Sequence, residues 1–68
     1  MNDTYYYNLA IKIREGDWKG QPPKGYKQID AEIDLLDTAV TLGHRRKRDL
    51  DQALTNLGKK LYEEGHRL

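Results

Sequence analysis

Thr4-Tyr5-Tyr6-Tyr7-Asn8-Leu9-Ala10-Ile11-Lys12-Ile13-Arg14 is the stretch on which the fold turns. Tyr5, Tyr7, Leu9, Ile11 and Ile13 fall at every second position, with Asn8, Lys12 and Arg14 on the opposite set. A period of two is the pattern of a half-buried strand, whose side chains alternate between faces. Tyrosine and isoleucine also suit a pleated surface. Tyr6, Leu9, Ala10 and Ile13 fit helical spacing too, but the alternation leads to a strand over about residues 4–14.

The segment that follows, 15–25, holds three of the six glycines and both prolines. Gly16-Asp17, Gly20 and Gln21-Pro22-Pro23-Lys24-Gly25 are turn material, so a loop is expected. Trp18 is its one large apolar group and is expected to fold back over the core.

From Tyr26 the period changes. Ile29, Ile33, Leu36 and Val40 are spaced 4, 3 and 4 apart, with Leu35 and Ala39 widening the stripe. This is an amphipathic helix over about 26–42, and Gly43 stands where a left-handed cap belongs. Asp49 and Gln52 have the spacing of a capping box. Leu50, Leu54, Leu57 and Leu61 then repeat the same spacing, giving a second helix over about 50–64 that Gly65 closes. Matching stripes across a short connection point to an antiparallel helical hairpin. Gly58 stands out, because a glycine inside a helix costs about 1 kcal/mol relative to alanine. It lies between Leu54 and Leu61, where it either admits a second backbone at close range or marks a break after Leu57. The expected fold is a small α+β domain spanning 1–68: strand, loop, helical hairpin.

A lone strand leaves its backbone groups unpaired. It can pair weakly within 18–27, with a second copy, or with the sheet of another protein. The expectation is a homodimer through the N-terminal strand, with Tyr5, Tyr6, Tyr7 and Trp18 as interface residues. Small size points the same way. A chain of 68 residues buries only about 60% of the surface its unfolded form exposes. Domains of this size commonly add disulfides, a metal or a partner chain. There is no cysteine, and His44 and His66 lie in no ligand-spaced motif, so neither metal nor cofactor is expected.

The formal net charge is +1, with 34% of residues charged and the signs mixed. That is not the basic excess of a general nucleic-acid coat. No segment is apolar over the roughly 18 residues needed to span a membrane, and the first residues lack a signal-peptide pattern. A cytoplasmic location is expected. The sharpest local charge feature is His44-Arg45-Arg46-Lys47-Arg48 at the bend of the hairpin. Basic residues just before a helix N-terminus need a counter-anion: a phosphate, an acidic partner, or Asp49 and Asp51 nearby. Asp30, Asp34 and Asp37 share one side of the preceding helix and read as its solvated face rather than as a cation site.

For catalysis the chain offers little. It has neither serine nor cysteine, and no phosphate-binding glycine loop or HExxH. The expected function is therefore non-catalytic. It is a protein-interaction module (a small adaptor, inhibitor or regulator, of a size common among phage and mobile-element products) that occupies a partner's surface. The alternative is a dimeric nucleic-acid-binding regulator that sets Arg45, Arg46, Lys47 and Arg48 against phosphates.

Overall fold

Residues 4–14 lie in a helix, not a strand. The computed structural model describes residues 2–16 and 22–68, and among these the chain is all helical. The elements are α1 (Asp3–Arg14), α2 (Tyr26–Thr41) and α3 (Lys47–Glu63). Trp18 lies outside the described residues.

The physical reason for α1 begins before it. Asn2 is extended, and its side-chain oxygen accepts a hydrogen bond from the Tyr5 N–H at 3.0 Å. That satisfies one of the free donors at a helix start. Asp3 stands in the first turn, and Lys12 and Arg14 in the last, the arrangement the helix dipole favours. A helix also closes its backbone bonds within itself, whereas no strand is present among the described residues to pair with residues 4–14. Burial then follows the helical period. Leu9, Ala10 and Ile13 are buried, while Tyr5, Tyr7 and Ile11 of the alternating set are only partly so. The α+β class and the N-terminal strand are thereby corrected to an all-helical fold. The strand edge on which the expected homodimer depended does not exist.

α3 is the centre of the structure. Leu54, Leu57 and Leu61 are buried on it, joined by Leu9, Ala10 and Ile13 from α1 and by Tyr26 and Ile33 from α2. Gly58 sets how closely α1 approaches. A Cβ built on Gly58 would lie 1.8 Å from the Tyr6 carbonyl oxygen, 2.4 Å from its carbonyl carbon and 2.8 Å from its Cα. The α1 backbone therefore lies in the notch left by the missing side chain. The helix runs on through Gly58, so the glycine admits a second backbone and does not mark a break.

α2 and α3 form a hairpin. α2 stops at Gly43, which takes φ 81°. Its N–H donates to Val40 O at 3.0 Å, and the His44 N–H donates to Ala39 O at 2.8 Å. This pair of hydrogen bonds across a left-handed residue is the Schellman motif. The same pair of bonds closes α3, from Gly65 to Tyr62 O and from His66 to Leu61 O. The start of α3 differs from expectation. It begins at Lys47, with Arg46 as the cap residue and no side-chain cap. Asp49 is inside the first turn, and Gln52 donates to Asn56 instead of reaching back, so no capping box forms. Among the described residues no helix is long and apolar enough to cross a membrane.

Candidate functional site

α1 and α2 pack against different sides of α3, and this leaves one face of the hairpin open. The apolar arc of α2 is wide, because Leu35 and Ala39 extend the stripe of Ile29, Ile33, Leu36 and Val40. α3 covers only part of that arc. Tyr26 and Ile33 are buried, Ile29 and Leu36 are half-buried, and Leu35 is 72% exposed. Leu42, just past the end of α2, is 65% exposed. Between the helices runs a groove of about 400 Å³. Ile29, Ile33 and Leu36 of α2 and Ala53 and Leu57 of α3 make its apolar floor, and Glu32, Asn56 and Lys60 its polar rim. None of the lining residues belongs to α1, so the groove lies on the side of the hairpin that α1 leaves uncovered. A concave apolar surface with a few polar groups at its edge can take an amphipathic helix.

The opposite side of α2 is fastened to α1 by charge. Arg14, at the end of α1, donates from Nε to Asp30 at 2.5 Å and from its terminal nitrogen to Asp34. Desolvation works against the charged guanidinium, but the two aspartates outweigh it and hold Arg14 above its ordinary pKa. The same surroundings act on the buried Tyr26. Loss of solvent, with the charges of Asp30 and Asp34, raises its phenol above the usual value, and Arg14 opposes this in part. Two of the three α2 aspartates thus hold a structural clamp. Among the described residues no group of carboxylates and histidines is placed to bind a metal ion.

The basic run at the bend is exposed throughout. Two of its four fixed charges have local partners. Arg45 pairs with Asp49 at 3.4 Å, and Lys47 donates to both oxygens of Asp51 at 3.0 and 3.2 Å. The bond to Asp51, and then its charge, raise the Lys47 pKa. Lys47 and Arg48 lie within the first turn of α3, with Arg46 at its cap. Asp49 and Asp51 therefore supply the counter-charge that a helix N-terminus crowded with cations requires. Arg46 and Arg48 make no side-chain bond with other described residues. They are the part of the run left to meet an external anion.

The tyrosines face inward along α1 and α3 rather than lining a strand edge. Tyr5, Tyr6 and Tyr62 meet edge to face, with ring centroids 5.7–5.9 Å apart. Arg67 stacks on Tyr62 at 3.7 Å, and the Tyr5 hydroxyl accepts the Leu68 N–H at 3.1 Å. Tyr7 borders a shallow polar recess with Lys47, Asp51 and Thr55. Of the tyrosines and the basic run, the structure brings Tyr7 and Lys47 to this one recess, while Tyr5 and Tyr6 pack with Tyr62 instead. Nor did sequence reasoning single out the groove. Its one visible signal was the width of the α2 stripe, too broad for a single neighbouring helix to cover. No protein-family model matches the chain, and no curated protein or solved structure matches it either.

Proposed function

We propose that this chain is a non-catalytic protein-interaction module, an adaptor, inhibitor or regulator that works by presenting the groove between α2 and α3 to another protein surface. One observation carries this reading: an apolar groove flanked by the exposed Leu35 in a domain this small. Apolar surface left open beside a polar rim marks interaction sites, because its exposure to water is unfavourable. The nucleic-acid alternative draws less support, because Asp49 and Asp51 already answer two of the four basic side chains.

The test is affinity capture with the purified chain from extract of its source cells, with and without nuclease treatment. It compares the wild type, Leu36→Asp, and a variant with Arg45, Arg46, Lys47 and Arg48 all changed to glutamine. The expected result is a captured protein that Leu36→Asp loses and the glutamine variant keeps. The proposal fails if the bound material is nucleic acid, depends on the basic run, and weakens by about 0.9 log units per phosphate contact for each tenfold rise in salt.

A further inference from the structure

The two walls of the groove differ in charge. α2 carries one lysine against four carboxylates, whereas α3 carries four basic against three acidic residues. At the groove itself this asymmetry narrows to two side chains. Glu32 stands on the α2 rim and Lys60 on the α3 rim, and neither pairs with another described residue. A partner helix of one charge sign would satisfy one rim and repel the other. A surface with the same asymmetry, reversed left to right, would satisfy both.

We infer that the occupant of the groove is a second copy of this chain, docked about a two-fold axis that runs along the groove. Such an axis lays α2 of each copy over α3 of the other. Glu32 of one copy then faces Lys60 of the other, and symmetry makes the pair twice. The part-exposed Ile29, Leu36 and Ala53 are covered, and the two hairpins build a four-helix arrangement in which neighbouring helices pack through their apolar stripes. The other face-to-face arrangement has its axis running across the groove. It would lay α2 on α2 and set Glu32 of one copy against Glu32 of the other, and like charges across an interface disfavour association. The charge pattern therefore selects one geometry. The inference depends on the groove being a protein-docking face, as proposed above, and names what docks there.

Sedimentation equilibrium on the purified full chain, from about 1 μM to 1 mM at low salt, tests it. The wild type is expected to dimerise. Glu32→Lys alone and Lys60→Glu alone each set like charges across both symmetry-related contacts. Each is expected to weaken the dimer roughly tenfold or more, two exposed pairs being turned from attraction to repulsion. An equimolar mixture of these two variants is expected to recover wild-type association, because the lysines of one chain then face the glutamates of the other. The double variant Glu32→Lys/Lys60→Glu is expected to dimerise as well, which also controls for folding. Leu36→Asp is expected to be monomeric with an unchanged circular dichroism spectrum.

Three results overturn the inference: a monomer up to 1 mM, single variants that associate like the wild type, or a mixture that binds no more tightly than its components. If the chain is monomeric while Leu36→Asp still loses a captured protein, the occupant is another protein and only the self-association fails. If Leu36→Asp changes neither association nor capture, the reading of the groove fails with it.

Discussion

Gly58→Ala is the substitution that most directly tests the architecture, because two simple arguments give it opposite signs. Intrinsic helix propensity favours alanine by about 1 kcal/mol. The structure places the new Cβ 1.8 Å from the Tyr6 carbonyl oxygen, where ordinary contact begins at 3.4 Å, a shortfall of 1.6 Å. All three nearest atoms are backbone, so no rotamer change relieves the overlap. α1 must move outward as a body, taking Leu9, Ala10 and Ile13 with it.

A buried leucine or isoleucine is worth about 1.5–3 kcal/mol, and a gap of even 0.5–1 Å forfeits about a quarter to a half of the contact energy. Leu9 and Ile13 together then lose roughly 1–3 kcal/mol. Overpacking strain adds about 1–3 kcal/mol. With the propensity gain subtracted, the net loss is about 3 kcal/mol, against a total stability of about 3–10 kcal/mol for a chain of this size. The assay is thermal unfolding followed by far-ultraviolet circular dichroism, with urea denaturation as a check. The expected fall in Tm is about 12–24 °C, or loss of the cooperative transition altogether. Truncating Tyr6 to alanine in the same chain is expected not to rescue it, because the overlap is with the Tyr6 backbone. A Tm equal to or above the wild type would refute the close approach of α1 to α3.

Two further outcomes follow from burial and charge. Leu61, fully buried, is expected to lose about 2–5 kcal/mol on change to alanine, whereas Leu35→Ser, at a position 72% exposed, is expected to stay within about 0.5 kcal/mol of the wild type; equal losses in urea denaturation would contradict the assignment of faces on α2. Tyr26 tests the pH dependence: its phenol is raised in the fold, so the unfolded chain ionises first, near pH 10, and the folded state loses stability as pH rises from there toward the folded value. Phenylalanine at this position removes that term, so the difference in Tm between wild type and Tyr26→Phe is expected to shift in favour of the variant between about pH 9 and 11; a constant difference would dispose of this account.

The helical hairpin was legible because its signals are local. The leucine spacing of α3 and the glycines that end α2 and α3 act over stretches of five residues or fewer, and the geometry of a helix repeats on that scale. The start of α3 was less legible. Asp49 and Gln52 have capping-box spacing, but Lys47 and Arg48 extend the helix a turn earlier and leave both residues inside it. The cap of α1 was present in the sequence as Asn2 followed by Asp3, and Asn2 is a preferred helix-starting residue. It lay outside the alternating run and was overlooked. Of the residues marked as candidate sites, the basic run sits at the bend as its place in the chain implies. Its electrostatic state depends on Asp49 and Asp51 lying one turn away.

By itself, then, the sequence determined that two amphipathic helices with glycine ends meet at a basic bend, in a domain without cysteine. Each of these features follows from spacing or composition alone. Whether residues 4–14 form a strand or a helix was a tertiary decision. Tyr5, Tyr7, Leu9, Ile11 and Ile13 alternate, while Tyr6, Leu9, Ala10 and Ile13 repeat at helical spacing, so the same residues satisfy both periods. What separates them is the environment: a strand needs a neighbour for its backbone, and a helix needs a surface for its stripe. α3 offers the surface, notched at Gly58 to receive the α1 backbone. The open face of α2 was decided in the same way. With α1 on one side of α3 and α2 on the other, no helix remains among the described residues to cover Leu35 and the groove beside it.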